Sequence, residues 1–364
     1  MSGGRWVVDA HLDLAWNALQ WNRDLRESVQ VLRVREATES GAGRGRNTVA
    51  LPELRAGGVR LCFATVLARS SGVARAHVDF ASREQANAVA LGQLAYYRAL
   101  ERGGHLRVLT DRVGLDAHVA AADADEPGLP LGVVVAMEGA DPILDPEDIA
   151  AWAAAGLRTV GLAHYGPGRY AGGTGTGSGL TDHGRALLRL LGPAGVALDL
   201  THSSDAAFWE AVAAFDGPIH VSHGNCRELV PNQRQLSDDQ IRAVAERGGV
   251  IGVALDAWML APGWVKGQGR RDGVGLARAL DHVDHVCRLT GGTAHVGIGS
   301  DLDGGFGTEQ SPEDLETVAD LARIGPMWAE RGYGADDVAA FERGNWLRWL
   351  RRAWAGSTEP APRA

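Results

Sequence analysis

Eight short apolar runs, spaced by segments of helical pattern, constrain this chain more than any other feature. They occupy residues 6–8, 59–66, 131–137, 157–162, 196–200, 218–221, 249–254 and 294–298. Runs this short, bounded by Gly, Pro and polar residues, read as buried strands. Helical spacing falls between them, at 51–56, 82–102, 111–122, 146–155, 181–191, 204–215, 237–247 and 276–289. Two further helical stretches follow, 312–330 with an expected break at Gly325-Pro326, and 335–354. Strands that alternate with helices imply a parallel sheet with crossover connections. Eight is the number that closes a TIM-like (β/α)8 barrel, with a doubly wound open sheet as the rival α/β architecture. No internal repeat or linker divides the chain. A single barrel domain is expected over residues 1–354, followed by a frayed tail of small residues and Pro at 355–364. The Gly-rich stretches 35–47 and 166–179 read as mobile loops.

Charge narrows the function classes. A net charge of -9 and a pI near 5.7 argue against nucleic acid and against an anionic membrane surface. Three widely separated cysteines, Cys62, Cys226 and Cys287, are not a disulfide framework and favour a reducing compartment. No stretch approaches the ~18 apolar residues of a membrane span, and the first residues lack the pattern of a signal peptide. A cytoplasmic protein is the expectation.

Barrel chemistry sits at the C-terminal ends of strands, so the residues just past each apolar run carry the functional reading. The first run leads into Asp9-Ala10-His11-Leu12-Asp13, where His11 and Asp13 project to the same side of an extended chain. The third ends at Glu138, the fourth at His164, the fifth at His202, the sixth at His223 and the eighth at Asp301. Only the second and seventh lack an obvious group. One His-x-Asp pair is common by chance; six strand ends of one kind point to a metal site. Imidazole and carboxylate without thiolate suit zinc, and less specifically Mn, Fe or Co. His11, Asp13, His202 and His223 plus a further carboxylate exceed one tetrahedral ion. Two ions about 3.5 Å apart, bridged by Glu138 and a water, would use them all.

These segments resemble the membrane dipeptidase (renal dipeptidase) family of zinc metallopeptidases, which have an amidohydrolase-like barrel. The resemblance runs from DAHLD at 9–13 to GNWLR at 344–348. It includes MEG at 137–139, GLTDHGRALLRLL from Gly179, DLTHSSDAAFW from Asp199, VSHGNCREL from Val221, NQRQLSDDQIRAVAERGGVIGV from Asn232 and VGIGSDLDG from Val296. It implies that His11 and Asp13 bind one zinc, His202 and His223 the other, and that Glu138 bridges them. It also implies that His164 contacts substrate and polarises the scissile carbonyl, that Arg234 holds the substrate carboxylate, and that Asp301 transfers protons. The implied activity is hydrolysis of dipeptides, with a D-residue accepted at the C-terminal position, by a hydroxide held between two zinc ions; the implied assembly is a homodimer. A related amidohydrolase acting on N-acyl amino acids or lactams is the alternative, and a non-catalytic metal- or ligand-binding barrel a third reading. The chain departs from the family pattern at Leu14-Ala15-Trp16, at Gly224-Asn225-Cys226 and at Asp256-Ala257-Trp258, which bears on side-chain preference.

Other chemistry-bearing residues have plainer readings. Asp303 rivals Asp301 on spacing alone. His282 and His285 fall on an outer helix, and His220 is expected to face away from the ligands, toward the helices. Cys226 lacks a positioned base. The GGTGTGSG run at 172–179 lacks the Lys of a phosphate loop. Arg44 and Arg46 are expected to be solvated.

Overall fold

The computed structural model describes residues 5–73, 77–267 and 273–355; the expected frayed tail lies outside them, apart from Ala355. Nine strands form one parallel sheet: β1, Val7–Leu12; β2, Val59–Val66; β3, Leu106–Val108; β4, Leu131–Met137; β5, Leu157–Gly161; β6, Ala197–Asp199; β7, Ile219–His220; β8, Ile251–Val253; and β9, Val296–Ile298. Their order is β7-β6-β5-β4-β2-β1-β9-β8. A parallel bridge between Val221 and Ile251 joins the two ends of that path, with Val221 N–H donating to Val250 O at 3.0 Å and Gly252 N–H to Val221 O at 2.9 Å. The sheet therefore closes into an eight-stranded barrel, and the doubly wound alternative is excluded.

All eight runs expected as strands are on that path. β1 continues beyond the expected 6–8 to Leu12, so His11 lies within the strand. β3 was not legible in the sequence. It has three residues, its central Arg107 is exposed, and it pairs only with the first half of β4, on the edge whose second half takes β5. Three residues are too few to show a period.

Strands buried on both faces need two apolar layers. Cys62, Ala64, Val133 and Val135 pack with helix residues such as Leu94, Tyr97 and Trp152. The alternate residues Leu61, Phe63, Val134 and Ala136 form a second cluster with Trp346 and Trp349 of the helix Asn345–Ala353. Both indoles donate to strand carbonyls, Trp346 to Ile298 O at 3.0 Å and Trp349 to Ile219 O at 2.8 Å. Gly297 makes room for this: a Cβ there would sit 2.2 Å from Trp346 Nε1.

Helix starts follow their caps. Ser82 and Ser237 form capping boxes with Gln85 and Gln240. The expected break at Gly325-Pro326 is instead a helix start: a 3-10 turn, Val318–Arg323, passes into Ile324–Ala329, and Pro326 lies in the first turn, where its missing N–H costs nothing. The last expected helix is divided by a π turn, Ala340–Gly344, which carries Glu342 to Arg5. Truncating Trp346→Ala empties a fully buried site and removes an indole donor. Urea unfolding should show a loss of roughly 3–5 kcal/mol; a loss under about 1 kcal/mol would show that the C-terminal helix does not support the barrel.

Candidate metal centre and active site

The strand ends converge on one carboxylate. Glu138 follows β4, with its backbone N–H donating to Val66 O of β2 at 3.0 Å. Its Oε1 lies 3.6 Å from His11 Nε2, 3.6 Å from His164 Nε2, 3.2 Å from His202 Nε2 and 3.5 Å from His223 Nε2. Four imidazoles from β1 and from the segments after β5, β6 and β7 thus surround one oxygen. Asp13 and Asp301 complete the ring, their Oδ1 atoms 3.7 and 3.8 Å from His11 Nε2. Asp301 Oδ2 is 3.9 Å from His223 Nε2.

Local backbone is bent to achieve this. His202 and Asp301 have φ of 63° and 58°, in the left-handed region that non-glycine residues avoid. Asp9 ties β1 to the loop after β9: it accepts Ser300 N–H at 2.8 Å and Ser300 Oγ–H at 2.5 Å. Asp13 starts the helix Leu14–Gln20 yet makes no side-chain cap bond there; it accepts the hydroxyl of Thr65 on β2 instead.

The electrostatics favour a bound cation. Burial pushes the imidazole of His11 down to about 3, and those of His202 and His223 well below their ordinary range. Neutral imidazole is the metal-ligating form. Burial, reinforced by neighbouring carboxylates, pushes Glu138 and Asp301 well up, and burial raises Asp13 to about 6. Carboxylates so placed need a positive charge beside them. His11 Nε2 is buried without a hydrogen-bond partner. Three sets of donor atoms lie close enough to share an ion: His11, Glu138 and His223; Glu138, His164 and His202; and His11, Asp13 and Asp301. The donors fit a divalent metal. The geometry groups His223 with His11 as well as with His202, whose Nε2 is 3.3 Å away.

The ring opens into a cavity of about 630 Å³ with aromatic walls from Trp16, Trp21, Tyr165 and Trp258. Arg234, 5% exposed, lines it and donates Nη2–H to His223 O at 3.1 Å. The two strand ends that seemed empty also contribute. Past β2 comes Arg69, whose Nη1 lies 3.1 Å from His164 Nδ1. Past β8 comes Asp256, a buried cavity carboxylate that accepts Gln310 Nε2–H at 2.7 Å and lies 3.9 Å from Lys266 Nζ. Ser222 and Thr174, whose hydroxyls face ring nitrogens of His11, His223 and His202, were also missed. Ser222 adjoins His223 in the chain; nothing local marks Thr174.

Several plainer readings are now settled. Asp303 accepts Thr48 N–H at 2.7 Å, Thr48 Oγ–H at 2.8 Å and Val49 N–H at 3.0 Å, anchoring the preceding loop; Asp301 is the one that joins the ring. His282 Nδ1 accepts Cys226 N–H, and His285 pairs with Asp238 at 2.8 Å. Burial pushes the Cys226 thiol up, away from nucleophilic use. His220 faces away from the ring, packing against Phe63 of β2 and against Trp346 and Trp349 of the helix Asn345–Ala353, in the second apolar cluster. Arg44 is not solvated: it donates to Trp21 O at 3.1 Å, sits 3.3 Å from Glu36 and lines the cavity. The loop after His164 folds on itself through Gly166 N–H to Thr174 O and Thr174 N–H to His164 O, both 2.9 Å. Gly173 is required there, since a Cβ would sit 1.9 Å from His164 O.

Among the described residues no helix is long and apolar enough to cross a membrane. The family profile for membrane dipeptidases, peptidase family M19, matches residues 4–360. An uncharacterised Klebsiella pneumoniae protein from the pqqA 5' region is 32% identical over 235 residues, 62% of this chain and 83% of that relative. The dipeptidase aclJ of Aspergillus oryzae is 30% identical over 47% of this chain, which spans only 38% of that protein. Two solved structures each align at 26% identity and a TM-score of 0.77, over 96% of this chain and 99% of theirs. One is a family M19 metallopeptidase, dipeptidase AC; the other is a Rhodobacter sphaeroides metallopeptidase liganded with a phosphinate mimic of L-Ala-D-Ala. The chain belongs to the membrane dipeptidase family, peptidase family M19, and is a metal-dependent dipeptidase.

Proposed function

We propose that this enzyme uses two zinc ions, held by His11 and Asp13 on one side and by His202 and His223 on the other, with Glu138 between them. The observation that carries this reading is Glu138 Oε1, within 3.2 to 3.6 Å of four imidazole nitrogens. Two of the three donor sets share it, as a carboxylate common to two ions would require. When bound, such ions would supply Lewis acidity, polarising a carbonyl and lowering the pKa of a nearby water.

The chain's own residues do the rest. Arg234 holds the substrate carboxylate; its guanidinium fork is suited to that group. His164 donates from Nε2 to the carbonyl oxygen as negative charge develops there. Asp301, half-buried at the ring's edge, takes a proton from the attacking water and returns it to the leaving amine. The aromatic walls exclude water around the scissile bond. A phosphinate mimic of L-Ala-D-Ala in a solved relative supports a dipeptide substrate with a D-residue accepted at its C-terminal position.

Elemental analysis of the purified protein should find two equivalents of zinc, and a library of L,L and L,D dipeptides should be hydrolysed. Two equivalents of zinc with turnover confined to N-acyl amino acids or lactams would replace this reading with the amidohydrolase alternative. Arg234→Met should raise KM for free-carboxylate dipeptides at least about 30-fold, the equivalent of the roughly 2 kcal/mol or more lost when a buried charge partner is removed; unchanged KM would refute the assignment. Asp301→Asn should lower kcat by about 10²- to 10⁴-fold with zinc content intact. Loss of zinc in that variant would instead make Asp301 a ligand.

A further inference from the structure

Four imidazoles face Glu138, but their second nitrogens have different partners. His11 Nδ1 and His223 Nδ1 lie 3.3 and 3.0 Å from Ser222 Oγ. His202 Nδ1 lies 3.0 Å from Thr174 Oγ1. A hydroxyl can accept from such a ring. Ser222 Oγ has two lone pairs for its two imidazoles and its own proton for Thr201 Oγ1 at 3.2 Å. Thr201 in turn donates to Asp199 Oδ1 at 2.6 Å. Thr174 has its own acceptor in His202 O at 3.3 Å. Every proton in these chains has an acceptor when the three rings carry theirs on Nδ1. Each then turns a lone pair at Nε2 toward the centre.

His164 is different. Its Nδ1 lies 3.1 Å from Arg69 Nη1. A guanidinium has donors only and keeps its charge in proteins. His164 Nδ1 must therefore accept, and the neutral ring carries its proton on Nε2, the atom that faces Glu138 Oε1 at 3.6 Å. A metal bond at that atom would move the proton to Nδ1, directly against the guanidinium. Arg69 is itself fixed. Its Nε donates to Asp79 Oδ2 at 3.1 Å, and Asp79 also accepts Ser71 N–H at 2.9 Å and Ser71 Oγ–H at 2.5 Å. The backbone N–H of Phe80 donates to Arg69 O at 2.7 Å, which pins the two segments together. Arg69 is 8% exposed and Asp79 2%.

We propose that Arg69, braced by Asp79, is a positioning residue that holds His164 in its Nε2–H form, making it a donor to the substrate and keeping it out of the metal shell. His164 lies among donor atoms that could share an ion with Glu138 and His202, so position alone does not separate it from the ligands. The partner of its other nitrogen does. This rests on the reading of His164 as the carbonyl-polarising residue.

The test uses full-length, zinc-loaded protein with ¹⁵N-labelled histidine. Long-range ¹H–¹⁵N spectra distinguish the two neutral ring forms, and the His164 signals are those absent from His164→Gln. The wild type should show His164 as Nε2–H. Arg69→Met should lose that form, and its kcat should fall by about 10²- to 10³-fold, the loss typical of a missing oxyanion donor, with KM changed less than about threefold. Arg69→Lys keeps a donor-only group and should retain the Nε2–H form and most of kcat. Should Arg69→Met fail to fold, Asp79→Asn, which leaves Arg69 in place but loosened, should show a partial loss of the same signal. His164 found as Nδ1–H in the wild type, or Arg69→Met and Arg69→Lys equally impaired, would overturn the proposal. The spectra decide it even if no dipeptide is turned over, an outcome that would overturn the substrate reading separately.

Discussion

The Glu138 carboxylate is the point on which the rest of this structure depends. Four imidazole nitrogens approach one of its oxygens from four different strand ends, inside a buried ring. Such a set is unstable as bare chemistry: carboxylates resist ionising out of water, and neutral imidazoles offer no countercharge. A divalent metal resolves both problems, because it supplies positive charge to the carboxylates and takes the imidazole lone pairs. The ring is assembled only if the barrel closes. β1 and β9 must be joined by Asp9 and Ser300, and β7 must reach β8 through Val221. Closure is therefore a functional requirement as well as a topological one.

Around that ring, hydroxyls and a guanidinium divide the work among residues of one type. Ser222, Thr201 and Asp199 form a descending chain of acceptors beneath His11 and His223, ending in a carboxylate. Such outer partners fix ring orientation and tautomer at metal sites. Arg69 provides the opposite polarity at His164. Identical side chains thus meet different hydrogen-bonding partners at their second ring nitrogen, hydroxyls at His11, His202 and His223 and a guanidinium at His164.

The pocket carries its own signature. Asp256, with Lys266 beside it, stands in the cavity wall. Arg44, brought in by the Gly-rich loop, packs beneath Trp21 and Glu36. These charged groups line the cavity above the ring of strand-end residues.

The sequence by itself determined a great deal, because the relevant signals are local. Apolar runs at strand length, helical spacing between them, and a ligand-type group at six of the eight strand ends can be read residue by residue. His11, Asp13, Glu138, His164, His202, His223 and Asp301 were all identified in that way, and the structure brings them together. Only the tertiary structure could separate Asp301 from Asp303, since two residues of like chemistry and adjacent spacing differ solely in what they face: one the ring, the other Thr48 and Val49. The same holds for β3, too short for a period, and for the packing of His220 against Trp349. Arg69 and Thr174 were invisible for a related reason, and so were the contacts of Asp256, although its position was marked in the sequence. Each acts through a partner 28 to 95 residues away in the chain, and a hydrogen bond across such a separation exists only once the barrel has closed.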